Sequence, residues 1–430
     1  MRPQHVGALA TLIAAACLLT LGGCRTAAPS WQLGASRAQA LDTVLASAIK
    51  RGELPGVAVL VTTKDKILYH RAFGMLGAAA RRPLGPDAVF DIASMTKPIT
   101  SLAAMMLVDE GKLGLDEPAS RHLPELEGRE VLVRVDSGRG TVDTRPASRA
   151  VTVRDLLRHT SGIAYSFSNT DLRAVEQWTK IPERDAPLVH DPGARWTYGM
   201  GTAQIGWIIE RVSGMPLEEF LRRRIFEPLE MRETSFSLPA ARAPRLMTRY
   251  RHQGGQWTAR RRPDSLSSAG RGDGDLISTA GDYAQFLQLV LGNGTWRGAR
   301  LVSESSMREM TRDQLHGSGL TVVEQPAAIP SLTASFPNGA GRAGFSLGFQ
   351  VAVNAPDGRP KRHAQLGGAL QHALLDRSDD RHWSARADPG ASVLRCACHE
   401  GAGRRGTHAL SIGHRPAVTA RAGRPEIGNE

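Results

Sequence analysis

The first helical pattern in the chain consists of apolar residues three or four positions apart: Leu41, Val44, Leu45, Ala48 and Ile49. This spacing predicts an amphipathic helix that begins at about Ala38 and ends near Gly52. Two apolar runs follow at residues 57–61 and 67–73, separated by the charged turn Lys64-Asp65-Lys66. Together they predict a β-hairpin behind the first helix.

Helical periods dominate the rest of the pattern. A long apolar helix is predicted at residues 100–108, closed by Gly111, and strand-like alternation returns at residues 345–353. Further helices are predicted at residues 153–159, 201–213, 217–225 and 280–291. A strand hairpin flanked by many helices indicates an α+β or α/β enzyme architecture and argues against a βαβ nucleotide-binding fold.

The N-terminus has the pattern of a targeting segment. Arg2 and His5 precede an uncharged stretch, residues 6–21, which is short for a membrane span and suits the core of a signal peptide. It ends in Leu21-Gly22-Gly23-Cys24, which resembles the lipobox of bacterial lipoproteins. This predicts a signal peptide at 1–23, a lipid on Cys24, a tether at 24–37 and an exported, periplasmic or cell-envelope protein. The alternative is an ordinary secretory signal that contains a cysteine.

Composition places the chain among globular proteins. Of its 430 residues, 41% are hydrophobic, 22% charged and 5% aromatic, which excludes a disordered tail, a collagen-like fibre and a small disulfide scaffold. The formal net charge is +12, but no like-charge run exceeds the triplets 222–224 and 260–262. Because aromatic residues are not interleaved with the basic ones, we interpret the excess as solvated arginines and predict no nucleic-acid partner.

The cysteines lie only near the two ends of the chain, at Cys17, Cys24, Cys396 and Cys398. A structural disulfide, a Cys-rich metal site and a cysteine nucleophile are therefore excluded for residues 25–395. The segment Cys396-Ala397-Cys398-His399 lacks the two-residue spacer of a haem attachment site. No metal or other cofactor is predicted.

The candidate chemistry lies in Ser94-Met95-Thr96-Lys97. A serine and a lysine three residues apart share one face of a helix, where a desolvated lysine can accept the serine proton. The same spacing occurs in Ser47-Ala48-Ile49-Lys50, within the amphipathic first helix, where two partly exposed helix residues are the simpler interpretation. Ser94 differs because it begins an apolar helix directly after a strand-like segment. We therefore predict Ser94 as the nucleophile.

The surrounding segment, Phe90-Asp91-Ile92-Ala93-Ser94-Met95-Thr96-Lys97-Pro98-Ile99-Thr100, resembles the first motif of the β-lactamase-related serine hydrolases. These include class C β-lactamases, D-Ala-D-Ala carboxypeptidases and family VIII carboxylesterases. The resemblance continues, in the family's order, through Gly111-Lys112-Leu113-Gly114-Leu115-Asp116-Glu117-Pro118, Val153-Arg154-Asp155-Leu156-Leu157-Arg158-His159-Thr160-Ser161-Gly162, Pro228-Leu229-Glu230-Met231 and residues 275–301. It implies an α+β fold (an α/β sandwich), with an antiparallel sheet flanked by helices plus an all-helical subdomain, over residues 38–360.

The family's second motif matches Trp196-Thr197-Tyr198-Gly199-Met200. The resemblance implies that Tyr198 acts with Lys97 as a general base and donates to the leaving group. Gly199 and Met200 replace the serine and asparagine typical of the family, which removes donors for a β-lactam amide. The expected activity is therefore carboxylesterase-like hydrolysis of a small ester or amide through an acyl-enzyme on Ser94. β-Lactamase or D-Ala-D-Ala carboxypeptidase activity, or an impaired ligand-binding lipoprotein, are the alternatives.

Two other residues attract attention and are set aside. His159 lies in a segment that ends a helix in this family, so we interpret it as structural. Gly344-Phe345-Ser346-Leu347-Gly348 satisfies the Gly-x-Ser-x-Gly pattern of a nucleophile elbow, which must turn from a strand into a helix. The residues after Ser346 alternate like a strand and run into a turn, so the elbow is not predicted.

The last seventy residues differ in composition from the rest. Residues 361–430 contain 11 Lys plus Arg, 6 of the 13 His and, among aromatic residues, only Trp383. We predict that the chain from about Leu366 is read in a shifted frame. With a suitable choice of synonymous codons, Leu366-Gly367-Gly368 read one base later can become Trp-Gly-Gly, and the following residues can become apolar segments that resemble the family's third motif and closing strands. The chain as written is therefore expected to lack those strands and to be nearly inactive.

Overall fold

The computed structural model describes residues 33–77, 82–136, 138–253, 256–260, 270–315, 343–352, 363–368, 371–375 and 392–396. The predicted signal peptide 1–23, the lipidation residue Cys24, most of the tether and Cys398 lie outside the described residues. Within the described part of the tether, a helix already begins at Ala35.

The helices alternate with short strands along the chain. The helices are α1 (Ala35–Lys50), α2 (Thr96–Asp109), α3 (Val153–Leu157), α4 (Thr170–Thr179), α5 (Gly201–Ser213), α6 (Leu217–Leu221), α7 (Ala280–Leu291) and α8 (Glu304–Thr311). The strands are β1 (Gly56–Thr62), β2 (Ile67–Gly77), β3 (Arg82–Pro83), β4 (Val89–Asp91), β5 (Glu130–Asp136), β6 (Thr141–Pro146), β7 (Arg249–Gln253), β8 (Gln256–Arg260), β9 (Ile277–Thr279), β10 (Thr295–Trp296), β11 (Ala299–Arg300), β12 (Ala343–Phe345), β13 (Gln350–Ala352), β14 (His363–Gly368), β15 (Gln371–Leu375) and β16 (Ser392–Cys396).

An antiparallel sheet of eight strands forms the centre of the fold, in the order β12-β13-β14-β15-β16-β1-β2-β3. Every residue of β1 is buried, and Leu60 is in register with Leu394 of β16 on one side and His70 of β2 on the other. A strand buried on both faces is apolar throughout rather than alternating, which explains the run at residues 57–61.

Helices cover both faces of this sheet. Val57 and Val59 pack with Leu45 of α1 on one face. On the other face lies α7, whose Gln288 Nε2 donates a 2.8 Å hydrogen bond to Thr62 Oγ1. The predicted α+β class, an antiparallel sheet flanked by helices, is confirmed.

A largely helical part lies beside the sheet, and the buried residues of α3, α5 and α6 share the hydrophobic core of α2, while Leu172 of α4 belongs to a separate small cluster. It contains α3, α4, α5 and α6, and α5 and α7 have the bounds that the periodicity predicts. It also carries the hairpin of β5 and β6, which the sequence analysis did not predict. Val131, Val133 and Val135 alternate along β5 and were an available signal, whereas β6 has only Val142 as an apolar residue besides its terminal proline.

The strand predicted at residues 345–353 is wrong, because a turn interrupts it. Ser346 N–H donates to Phe349 O at 2.7 Å, and Phe349 N–H donates to Ser346 Oγ at 3.1 Å. This turn connects β12 to β13, while Val353 lies outside the described residues. The helix predicted at residues 153–159 ends earlier, at Leu157.

The tail also departs from expectation. The expected absence of the third-motif and closing strands is wrong, since β14, β15 and β16 continue the central sheet into β1. The sheet therefore extends past the predicted boundary at residue 360. β14 lies against the turn Ala93–Met95, where the family's third motif is expected. The shifted reading frame stays a prediction. It concerns which amino acids occupy β14 and the strands after it, not whether the strands form.

Candidate functional site

Ser94 lies in a turn between a strand and a helix. β4 ends at Asp91, a single 3₁₀ turn spans Ala93–Met95, and α2 begins at Thr96. Ala93 has a φ of 44°, a left-handed conformation that is uncommon for a residue with a Cβ and tends to occur at functional turns. Tyr283 OH donates a 3.0 Å hydrogen bond to Met95 O. The nucleophile candidate is thus held at the entrance of a buried helix.

Lys97 lies in the first turn of α2 and is 3% exposed. Its Nζ atom is 3.3 Å from Ser94 Oγ, as the Ser-x-x-Lys spacing predicts. The same Nζ donates to Asp273 O at 2.6 Å and lies 3.1 Å from Tyr165 OH. The lysine therefore has three polar neighbours, of which only the serine is close in sequence.

Tyr198 completes the set of predicted residues. Lys97 Nζ lies 4.8 Å from the centroid of its ring, and the side chain is buried. The loop that carries Tyr198 is held on both sides by His159, whose backbone oxygen accepts from Thr197 N–H at 2.8 Å and whose Nδ1 accepts from Gly199 N–H at 3.4 Å. The structure thus brings Ser94, Lys97 and Tyr198 together.

Tyr165 and Asp273 also belong to this site, although they were not predicted from the sequence. Tyr165 OH donates a 2.5 Å hydrogen bond to Asp273 Oδ2, and Arg271 Nη2 donates to the same oxygen at 2.9 Å. Asp273 lies between glycines in the segment Gly272-Asp273-Gly274, and Tyr165 follows the His-Thr-Ser-Gly motif by three residues. An acidic residue within a glycine-rich loop was the available signal, but it predicts a turn as readily as a site.

The protonation of this pair follows from its surroundings. Burial raises the pKa of the Asp273 carboxyl, but the charges of Lys97 and Arg271 outweigh burial and leave that pKa below its ordinary value. Burial and the Asp273 charge raise the pKa of Tyr165 well above its usual range. Tyr165 is therefore a neutral phenol whose proton points to Asp273.

These contacts orient the amino group of Lys97. The Asp273 carbonyl accepts one N–H, and Tyr165, whose own proton is committed to the carboxylate, accepts a second. Once Lys97 has lost a proton, as a general base must, these two oxygens can take up its two remaining N–H bonds, which leaves its lone pair for Ser94 Oγ. The arrangement is suited to taking the proton of the serine hydroxyl.

His159 is not placed as a base. Its ring is buried and lies 4.7 Å from the Tyr198 ring and 5.2 Å from the Phe345 ring, measured between centroids. Burial, with a smaller effect of the Lys97 charge, lowers its pKa well below the ordinary value. It is a neutral imidazole that holds the Tyr198 loop, which agrees with its structural interpretation.

The two competing serines lie elsewhere. Ser47 is partly exposed on α1 and Lys50 is exposed, and no hydrogen bond joins them. Ser346 is completely buried in the β12–β13 turn, where its Oγ accepts from a backbone N–H. Neither is placed as a nucleophile, as predicted.

Packing explains why residue 199 is a glycine and not the serine that is typical of the family. A Cβ atom on Gly199 would lie 1.9 Å from Ile163 O and 2.7 Å from the Cα of Ala164, so this close approach requires glycine. The next residue, Met200, is buried and precedes α5. The positions that offer polar side chains in related enzymes are occupied here by a glycine and a thioether.

The described part of the chain shows neither a metal cluster nor a membrane-spanning helix. No cluster of His, Cys, Asp or Glu there could hold a metal ion. No helix among the described residues is long and apolar enough to cross a bilayer.

Comparison with known proteins shows which proteins this chain resembles. The sequence model of the β-lactamase family matches residues 41–377. Protein Rv1367c of Mycobacterium tuberculosis is 36% identical over 327 residues, 72% of this chain and 78% of that protein. Lovastatin esterase of Penicillium rubens is 34% identical over 209 residues, which cover 46% of this chain and 52% of the esterase.

Among solved structures, simvastatin synthase of Aspergillus terreus superposes with a TM-score of 0.68 at 25% identity, covering 84% of this chain and 93% of that one. Of these relatives, the lovastatin esterase is by name an esterase. The family model spans most of the chain, and the Ser-x-x-Lys pair lies in the expected place. The chain therefore belongs to the β-lactamase family.

Proposed function

We propose that the protein is a serine hydrolase that cleaves small carboxylic esters through an acyl-enzyme on Ser94. The observation that carries this proposal is the Lys97 amino group, 3.3 Å from Ser94 Oγ, with both other polar neighbours fixing its N–H bonds. Membership of the β-lactamase family supports a hydrolase, and the name of the lovastatin esterase supports an ester substrate.

Acylation begins when Ser94 Oγ attacks the substrate carbonyl carbon as its proton passes to Lys97 Nζ. The carbonyl π pair moves to oxygen, and the backbone N–H of Ser94 stabilises the oxyanion. Collapse re-forms the carbonyl and breaks the bond to the alcohol oxygen, which takes a proton from Lys97, relayed by Tyr198. Water then attacks the acyl-enzyme by the same route, releasing the acid and regenerating Ser94.

An ester is preferred over a β-lactam because of the residues that follow Tyr198. A β-lactam carries an amide side chain that polar groups at positions 199 and 200 would bind, and Gly199 and Met200 offer no side-chain donor. An ester substrate has no such amide, so the missing side-chain donors do not weaken its binding. β-Lactamase or D-Ala-D-Ala carboxypeptidase activity remains the second candidate, and a non-catalytic ligand-binding lipoprotein the third.

The test compares hydrolysis of p-nitrophenyl butyrate and nitrocefin. We expect turnover of the ester, with little or no turnover of the cephalosporin, and loss of ester activity in Ser94→Ala. Ser47→Ala and Ser346→Ala are the matched controls and should keep it. Covalent labelling of Ser94 by a fluorophosphonate separates an enzyme from a binding protein. Comparable turnover of nitrocefin would reverse the preference, and an unlabelled Ser94 would favour the non-catalytic alternative.

We also propose that the protein is exported and anchored in the cell envelope by a lipid on Cys24. The support is the Leu21-Gly22-Gly23-Cys24 sequence behind an apolar segment. Expression with radiolabelled palmitate in a bacterial host should label the wild-type chain in the membrane fraction. The Cys24→Ser chain should be unlabelled, and equal labelling of the two chains would contradict the proposal.

A further inference from the structure

A cavity of about 270 Å³ lies in the helical part of the molecule, apart from the Ser94 site. It opens between the turns Pro124–Leu126 and Glu183–Asp185, the residue before β5, and one face of α5. Ser94, Lys97 and Tyr198 do not line it. The family relationship and the proposed hydrolysis assign no role to this space.

The charges around the cavity leave one cation without a partner. Arg211 Nη2 pairs with Glu125 Oε1 at 2.5 Å, and Arg184 Nε pairs with Asp185 Oδ2 at 3.4 Å. Arg129 instead donates to the backbone oxygens of Arg184 and Ala186, and no carboxylate of the described residues forms an ion pair with it. With two pairs neutralised, the cavity carries a net charge of +1.

Burial makes this unpaired charge costly. Arg129 is partly buried, and burial lowers the pKa of its guanidinium more than the charge of nearby Asp185 raises it. A buried cation is stabilised by an anion that accepts its remaining N–H bonds, and a carboxylate fits the guanidinium fork best. The cavity therefore suits a single negative charge.

Gln204 supplies a second, independent indication of a ligand. Its side chain is 4% exposed and lines the cavity, and within the described chain no group hydrogen-bonds to its amide. Gln204, Trp207 and Arg211 follow one another at helical spacing, so one face of α5 presents all three. An amide that lines a cavity and has no hydrogen-bond partner in the described chain is open to water or to a ligand, and a carboxylate would satisfy its N–H donor.

Apolar walls define the rest of the ligand. Leu123 and Leu126, both almost fully buried, line the cavity together with Trp207. We propose that this cavity binds a small organic monocarboxylate, with its carboxylate on Arg129 and Gln204 and a short apolar body against the leucines. The acids that ester hydrolysis releases belong to this chemical class, but the site stands independently of any activity at Ser94.

The experiment is isothermal titration of the Ser94→Ala protein with sodium butyrate at constant ionic strength. We expect saturable binding of one butyrate with a dissociation constant of about 1 mM or below, and no comparable binding of butyramide, which lacks the charge. Arg129→Gln and Gln204→Leu should each weaken binding about ten-fold or more. Arg139→Gln, which removes an exposed arginine outside the cavity, and Tyr198→Phe, which alters the Ser94 site, should not.

Several results would overturn the proposal: no saturable binding, equal binding of butyramide or inorganic phosphate, or unchanged affinity in both cavity variants. Loss of binding in Tyr198→Phe would assign the butyrate to the Ser94 site instead. Melting temperatures of all variants are measured in parallel. Since Arg129 also holds two backbone oxygens, Gln204→Leu decides the outcome if Arg129→Gln fails to fold.

Discussion

The backbone oxygen of Asp273 accepts a 2.6 Å hydrogen bond from Lys97 Nζ, although 176 residues separate the two. The carboxylate of the same aspartate accepts the proton of Tyr165, whose oxygen in turn lies 3.1 Å from Lys97 Nζ. One residue of a glycine-rich loop thus determines the direction of two bonds of the proposed base.

Replacing Asp273 by asparagine removes the charge while keeping the backbone contact to Lys97. We expect kcat/KM for p-nitrophenyl butyrate to fall about ten-fold, because Tyr165 loses a charged acceptor. The ascending limb of the pH–rate profile should move to lower pH, since losing a negative charge nearby disfavours protonated Lys97. Asp275→Asn, in the same loop, is the control. A fall in rate with an unshifted profile would mean that Asp273 has only a structural role.

Gly199→Ala should destabilise the protein by about 1–3 kcal/mol, because the new Cβ would overlap Ile163 O. Gly281→Ala is the matched control, since in the first turn of α7 the nearest atom to its Cβ is 3.8 Å away. Chemical unfolding of both variants measures the difference. Similar stabilities would show that the loop at Gly199 has room for a side chain.

Asp155 links stability to pH through its buried carboxylate. It accepts hydrogen bonds from Arg149 at 2.6 Å and Thr160 Oγ1 at 2.7 Å. Burial raises the pKa of Asp155, but these partners outweigh burial and leave it below its ordinary value. Its contribution to stability is therefore complete above about pH 4 and is lost as the pH falls through the lower folded value.

Asp155→Asn should accordingly lower the free energy of unfolding at pH 7 by about 3 kcal/mol or more and flatten its acid dependence. Asp171→Asn, an exposed carboxylate in the first turn of α4, should change it by less than about 1 kcal/mol. Urea unfolding between pH 3 and 7 measures both effects. An unchanged acid limb in Asp155→Asn would assign the acid sensitivity to other groups.

Re-reading the gene in the shifted frame from about Leu366 should raise solubility and esterase activity. β14 lies against the turn that holds Ser94, so this strand is placed to supply a second oxyanion donor, and such a donor is typically worth about 10²–10³ in rate. Activity and melting temperature of the written and reframed chains are compared side by side. Equal values would show that the tail is genuine.

Local patterns identified much of the fold. The helices α5 and α7 have the predicted bounds because their apolar spacing and flanking residues are local properties of the chain. The β12–β13 turn was missed because alternation alone does not distinguish a strand from a turn that hydrogen-bonds to its own serine. The strands β14–β16 were missed because their pairing with distant strands is not a local property of the sequence.

The family and the Ser94–Lys97 pair could be read from the sequence alone, because each motif that carries them consists of residue types at short, fixed spacing. The groups that surround the lysine are set by the tertiary fold. Tyr165 and Asp273 lie in loops that are 68 and 176 residues from Lys97 in sequence. Their hydrogen bonds to Lys97 form only when these two loops pack against α2. Contacts between residues so far apart in sequence depend on how whole helices and loops pack, and no short motif encodes that packing.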